Sequence, residues 1–327
     1  MKPARTVPVA VPDLSGNEEK YVLECTKTGW ISSKGRFVDE FEEKFSSHLN
    51  VKHAAAVSSG TAALHLALAT LDIKQGDEVI LPTFTMISCA NVVKYTNGKP
   101  VLIDSEPYTW NINPDKIEEN ITKRTKAIMV VHIYGHPTDM DPIMRLAKEY
   151  DLYVIEDAAE AHGAEYKGRK VGGIGNIGCF SFYANKIITT GEGGMVVTND
   201  DELANKVRKL RDQYYNVKLR KWLIHDAIGY NYRLTNLQAA VGLAQLERIE
   251  EFIRKHRENA YCYNSLLKDS IGITLPPEAP WAKNVYWMYS ILIQDSFGIS
   301  KGELMRSLER EGIGTRTFFY PIHVQPI

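Results

Sequence analysis

The chain has 327 residues, 44% of them hydrophobic and 24% charged, with a formal net charge of -1. That is the profile of an ordinary globular protein of one large or two unequal domains, and so neutral a balance offers no electrostatic case for nucleic acid or an anionic membrane. Four single cysteines, Cys25, Cys89, Cys179 and Cys262, form no CxxC pair and suggest neither a zinc site nor a disulfide framework.

The first ten residues are broken by proline and lack the apolar stretch of a secretion signal, and no apolar run is long enough to span a bilayer. A cytoplasmic protein with no membrane attachment is the expectation. Residues 17–26 and 38–49 read as helices. In the second, Val38, Phe41, Phe45 and Leu49 recur at helical spacing, with acids and Lys44 on the other side. The Gly-flanked loop between them carries Trp30, either a packing residue or part of a pocket wall. Residues 54–70 read as a short strand, a Ser58-Ser59-Gly60-Thr61 turn and an Ala/Leu-rich helix. Such a turn offers free backbone N–H groups and hydroxyls at a helix start, which suits a phosphate. Serine and threonine are equally the ordinary caps of helices. There is no GxxxxGK[ST] spacing, so a nucleotide P-loop is not supported.

Strand and helix then alternate as in an α/β fold. The pattern predicts strands at 78–81, 101–104, 127–131 and 152–155, and helices from 88 to Lys94, from Pro114-Asp115, and over 141–150. These strands lack polar alternation, as strands covered on both faces do. The last of them delivers Asp157 at its carboxyl end, where open α/β sheets hold ligands and where an acid also commonly caps the next helix. Glu156, Asp157, Glu160 and His162 lie close together, but no second histidine stands at i+4, and no metal is expected. Gly173-Ile-Gly175-Asn-Ile-Gly178 matches GxGxxG. It follows a polar turn and runs into a strand instead of opening a helix, so a dinucleotide site is rejected.

The stretch 179–195 is the most informative. An apolar strand delivers Lys186 after a short turn, and a Gly/Thr-rich loop leads to a second apolar run from Met195. Burying a lysine is expensive unless it is paired or neutralised, and burial lowers the amine's pKa and makes it a Schiff-base former. The plain alternative is a surface lysine between strands. Beyond Leu246, a charged helix over 247–264 and short strands around 286–293 read as a smaller domain.

Ser59-Gly60-Thr61 before a helix, Asp157-Ala-Ala-Glu160 after a strand, Ser181-Phe-Tyr-Ala-Asn-Lys186 before Gly191-Glu-Gly-Gly194, then Gly229 to Ala240 and Gly314 to His323 come in a telling order. Together they resemble the DegT/DnrJ/EryC1/StrS sugar aminotransferases, fold type I enzymes that use pyridoxal 5'-phosphate (PLP). The likeness covers essentially the whole chain. It implies a three-layer α/β/α, aspartate aminotransferase-like large domain over 1–246, with an N-terminal arm. A smaller C-terminal α+β domain would fill 247–327 and, ending at Pro326-Ile327, lack its final pieces.

The resemblance also implies roles. Lys186 carries the cofactor and later moves the proton between substrate and cofactor. Asp157 pairs with the pyridine nitrogen, Ala159 packs under the ring, and Glu160 reaches the 3-oxygen. Ser59, Gly60, Thr61 and Ser181 surround the phosphate, Asn185 lies beside the cofactor, and Asn231 comes from the partner in a homodimer with shared active sites. Met86 stands where the family often places an aromatic over the ring. Trp30, Arg316 and His323 become substrate contacts, although surface ion pairing or a turn would account for the last two. Arg233 reads equally as an interface or surface ion pair, and His65, His132 and His162 read as structural.

Within the family the wording is nearest to the branch that moves the amino group of L-glutamate, leaving 2-oxoglutarate, onto C4 of GDP-4-keto-6-deoxy-D-mannose. The cofactor would pass through pyridoxamine 5'-phosphate between the half-reactions. A dTDP- or UDP-linked keto-sugar is the alternative substrate. The sugar dehydratases of the same fold carry histidine in place of the Schiff-base lysine, and Lys186 speaks against them. The fold also serves as the effector-sensing half of transcription regulators, which would require a helix-turn-helix and a basic face that the sequence lacks.

Overall fold

The computed structural model describes residues 6–215 and 224–326. Met1–Arg5 and Ile327, on which parts of the leader and chain-end readings rest, lie outside the described residues. Helices α1 (Glu18–Thr28) and α2 (Arg36–Leu49) open the chain. The stripe of Phe37, Val38, Phe41, Phe45 and Leu49 on α2 is buried, as its spacing predicts. Phe45 meets the ring of Phe180 at 5.0 Å and that of Phe182 at 5.4 Å, both edge to face, the arrangement the ring quadrupole favours. These two partners flank Ser181, so α2 is packed under the strand that leads to Lys186.

The central units follow in order: β1 (His53–Val57), α3 (Gly60–Thr70), β2 (Glu78–Pro82), α4 (Ser88–Tyr95), β3 (Lys99–Ile103), β4 (Thr125–Val131), α5 (Met140–Glu149) and β5 (Tyr153–Asp157). A small ribbon, β6 (Glu165–Tyr166) with β7 (Arg169–Lys170), precedes β8 (Ile177–Ser181), β9 (Gly194–Thr198) and α6 (Asp201–Arg211). The seven long strands form one sheet in the order β1-β9-β8-β5-β4-β2-β3. Strands β2, β3, β4, β5 and β8 run parallel, and β9 lies antiparallel between β8 and β1. Every residue of β2, β8 and β9 is buried, which requires cover on both faces and explains their unbroken apolar reading.

After the undescribed segment come α7 (Asn236–Leu246), opened by a Thr235/Gln238 capping box, and the long α8 (Ile249–Leu267). Short strands β10 (Ile273–Thr274), β11 (Ala282–Lys283) and β12 (Leu292–Ile293) precede α9 (Lys301–Arg310). No helix among the described residues is long and apolar enough to cross a membrane.

Two expectations fail here. The helix expected from Pro114 is only a pair of 3-10 turns, Pro114–Lys116 and Glu118–Asn120. Its apolar stripe is limited to Ile117 and Ile121, too short to bury a helix face, and the chain turns extended at Ile121. The strands expected around 286–293 are reduced to β12, which pairs with β10. Tyr286 adopts a left-handed φ of 49°, and its N–H is taken by Asn284 Oδ1 at 2.7 Å, so the run turns away from a ladder. Strand β11 pairs instead with β6, tying the C-terminal stretch to the loop just after Asp157.

Candidate active site

The site is assembled at the carboxyl ends of β5 and β8 and the start of α3. Ser59 caps α3 by accepting the N–H of Ala62 at 3.1 Å. A helix start leaves its first N–H groups without intrahelical partners, so Gly60 and Thr61 present donors on a half-buried surface. Gly60 lies against Ser181: a Cβ at 60 would sit 2.7 Å from Ser181 Cβ. The turn therefore fits only while residue 60 has no side chain.

Asp157 ends β5, and only 5% of it is exposed. The expected alternative, a helix cap, is not its role, because residues 158–164 form turns. Its Oδ1 accepts the N–H of Ala159 at 3.0 Å, and Oδ2 accepts the Cys89 thiol at 3.1 Å. Burial and the neighbouring Asp157 push that thiol well above its ordinary range, so Cys89 stays protonated and remains a donor.

Lys186 follows a tight turn in which its N–H donates to Tyr183 C=O at 2.9 Å. Its side chain is 11% exposed, and Nζ stands 3.9 Å from Glu160 Oε1. Burial lowers the amine's pKa, with Glu160 and Asp157 pulling the other way. Glu160 is pushed up to about 7 by burial against the pull of Lys186, while its Oε2 accepts the N–H of Tyr134 at 2.7 Å. A buried amine shifted down and a buried carboxyl shifted up thus compete for the same proton. His162 sits between the rings of Phe180 and Phe182, and burial first, then the charge of Lys186, push it down to about 3. It is a neutral wall of the site.

These residues suit an aldehyde cofactor with an aromatic nitrogen and a phosphate tail. The amine that would bind it is sequestered, an acid stands at a strand end, and free N–H donors lie at a helix start. Beside Lys186, the buried Asn185 Oδ1 has no hydrogen-bond partner among the described residues, an acceptor left open on the same loop. Residues 12–327 match the model of the DegT/DnrJ/EryC1/StrS aminotransferase family.

The chain belongs to the DegT/DnrJ/EryC1/StrS aminotransferase family. GDP-perosamine synthase from Caulobacter vibrioides is 48% identical over 98% of this chain and 86% of its own length. The GDP-perosamine synthase of Vibrio cholerae is 43% identical over 98% of this chain and 87% of its own. Among solved structures, DesV of S. venezuelae, in complex with a ketimine intermediate, superposes with a TM-score of 0.90 at 35% identity, covering 98% of this chain and 86% of that one.

The other expected residues of this DegT-family chain are spread more widely. Met86, 48% exposed, and Arg316 line one pocket of about 510 Å³ together with Phe318 and Tyr320. His323 is off that lining, with Nδ1 2.6 Å from Thr83 Oγ1 just past β2. Trp30 is 57% exposed and anchored through its carbonyl, which accepts from Asn236 Nδ2 at 2.7 Å; none of its described contacts reaches the Lys186 cluster. Asn231 is exposed, while the adjacent Tyr232 C=O accepts the N–H of Ser58 at 2.8 Å. Its segment therefore flanks the helix-start turn of its own chain. Arg233 pairs with Asp212. Within the core, His65 Nδ1 meets Tyr232 Oη at 3.1 Å, and His132 Nε2 meets Glu156 Oε2 at 3.0 Å.

Sequence reasoning missed three side chains at this site: Cys89, Tyr134 and Trp287. No spacing rule reports that the ring of Trp287 has its centroid 3.8 Å from Lys186 Nζ.

Proposed function

We propose that this protein is a PLP-dependent aminotransferase that moves the amino group of L-glutamate onto C4 of GDP-4-keto-6-deoxy-D-mannose, giving GDP-perosamine. The observation that carries the reading is the buried Lys186 amine beside Glu160 and Asp157, in a chain 48% identical to a GDP-perosamine synthase. PLP, when bound, supplies an aldehyde carbon for amines and a ring that withdraws electron density from the bond being broken.

The chain's own residues do the rest. Lys186, with its amine shifted toward neutrality by burial, holds or releases a proton at Nζ and is the base of the reaction. Asp157, fixed by Ala159 N–H and the Cys89 thiol, presents a carboxylate to the ring nitrogen and keeps it protonated. Ala159 leaves room beneath the ring. Glu160 competes with Lys186 for a proton and would serve the cofactor's 3-oxygen. Ser59, Gly60, Thr61 and Ser181 form the phosphate cradle, with Asn185 beside it. Met86 and Arg316 line the pocket that receives the sugar nucleotide, His323 bonds Thr83 close to it, and Trp30 is a further substrate contact of the proposal.

A second copy belongs to the proposal. Asn231 is exposed beside the cradle, and Ile228 of the same segment is 88% exposed, as suits a residue covered by a partner subunit that shares the active site. Four free cysteines suit the reducing cytoplasm in which we place the enzyme.

Purified protein incubated with PLP, L-glutamate and GDP-, dTDP- or UDP-linked 4-keto-6-deoxy sugars tests this directly. The expected result is amination of the GDP sugar, with a borohydride-fixed adduct on Lys186 and none in Lys186→Ala. Amination of only a dTDP or UDP sugar would refute the substrate, and an adduct elsewhere would refute the site.

A further inference from the structure

Trp287 is 102 residues from Asn185 in sequence and in contact with the Lys186 loop in space. It is 7% exposed. Its indole N–H donates to the backbone C=O of Asn185 at 2.7 Å, and its ring stacks on Tyr134 at a centroid separation of 6.3 Å and 25°. Tyr134 in turn gives its N–H to Glu160 and accepts the N–H of Phe319 at 3.0 Å. The indole is thus held along its N–H edge and against Tyr134, and Lys186 Nζ lies over its ring, 3.8 Å from the centroid.

We propose that Trp287 is a positioning residue for the Lys186 amine, docking it on the indole face whenever it is free of cofactor while its N–H pins the loop that carries the lysine. The proposal rests on Lys186 being the cofactor-bearing residue. A ring face attracts an ammonium through its quadrupole, and more strongly where water is excluded, but has no comparable hold on a neutral amine. Charged, the amine is parked on the indole; once it loses its proton, it is free to attack. A second carboxylate in the same place would hold the ammonium more firmly and oppose release of its proton.

The groups that face Nζ from the packed elements are Glu160 at 3.9 Å and Asp157 through its charge, with the Cys89 thiol protonated against Asp157; His162 feels the amine in turn. Glu160 and Asp157 favour the ammonium and burial opposes it. Trp287 adds to the first side without adding a titrating group. Removing its π face while keeping the site dry therefore lowers the amine's pKa. Mere loss of a space-filling side chain would admit water, relieve the burial penalty and raise it. The sign of the shift separates the two roles.

The experiment follows covalent capture of PLP by cofactor-free protein as a function of pH, by visible absorbance with borohydride trapping and peptide mapping. In that step the neutral amine adds to the aldehyde carbon and water leaves. Trp287→Leu is expected to move the midpoint of the capture rate to lower pH by about one unit. Trp287→Phe keeps a ring face and loses the N–H, so its midpoint stays within about half a unit of wild type, while the melting temperature falls with loss of the Asn185 anchor. A Trp287→Leu midpoint equal to wild type, or displaced to higher pH, overturns the proposal. If the wild-type adduct does not map to Lys186, the function proposed above fails, whatever Trp287 does.

Discussion

Replacing Glu160 with glutamine removes one titrating group from the buried pair and leaves its shape. The amide oxygen still accepts the N–H of Tyr134, so the backbone of the turn at 133–135 keeps its partner. In the folded protein burial raises the Glu160 carboxyl from 4.5 to about 7, over the opposing charge of Lys186. A folded-state pKa above the unfolded value means that the native state binds the extra proton between those two pH values. Wild-type stability from this group is therefore complete below pH 4.5 and is lost as pH rises through about 7. At about 1.4 kcal/mol per unit the window is worth about 3 kcal/mol. Glutamine carries no such loss. Lys186 acts in the same direction, because without Glu160 its ammonium becomes harder to keep, and the variant gains stability as the unfolded chain holds more protons. Urea unfolding of cofactor-free wild type and Glu160→Gln across that window should show the variant's relative stability climbing with pH by up to about 3 kcal/mol. A difference that stays flat, or falls with rising pH, would refute the electrostatic account of the pair.

Gly60→Ala places a methyl 2.7 Å from Ser181 Cβ, so the helix-start turn must move; PLP affinity, read by fluorescence titration, should fall at least about tenfold, equal to about 1.4 kcal/mol. Glu156 is fully buried and accepts the N–H groups of Gly172, Ile174 and Gly175, each at 2.6 Å. Glu156→Ala orphans these donors and His132, and should cost about 3–5 kcal/mol in chemical denaturation; a loss below about 1 kcal/mol would contradict that network. Phe45→Ala empties the space between Phe41, Phe180 and Phe182 and should cost about 3–5 kcal/mol, measured by the same method.

The parts of the molecule legible in the sequence are those whose physics is local. Short unbroken apolar runs announced the strands from β1 to β5, the spacing of Phe41 and Phe45 announced α2, and Ser59-Gly60-Thr61 announced a capped helix start. Lys186 and Asp157 stood out because a charged residue at the end of an apolar strand requires an explanation. What stayed hidden depends on chain segments far apart in sequence. Cys89 reaches Asp157 across 68 residues, and Trp287 reaches Asn185 across 102. No periodicity encodes such meetings, since they follow from how α4 and the β11–β12 connection pack on the sheet. The expected helix at Pro114 failed for the opposite reason: a good first residue was read as a helix without enough apolar surface behind it to hold one.

The reversed strand β9 joins two functions in one solid. Gly194, its first residue, leaves no room for a Cβ against the backbone carbonyl of Ser59, just as Gly60 leaves none against Ser181. The turn proposed to hold the phosphate and the span bearing the Lys186 amine are consequently wedged together at both ends of a single loop. The distance between the helix start and the lysine-bearing loop is therefore a property of the sheet's own packing. A guest of the right length meets a ready-made gauge, and variants at 60 or 194 alter the gauge itself instead of one of its jaws.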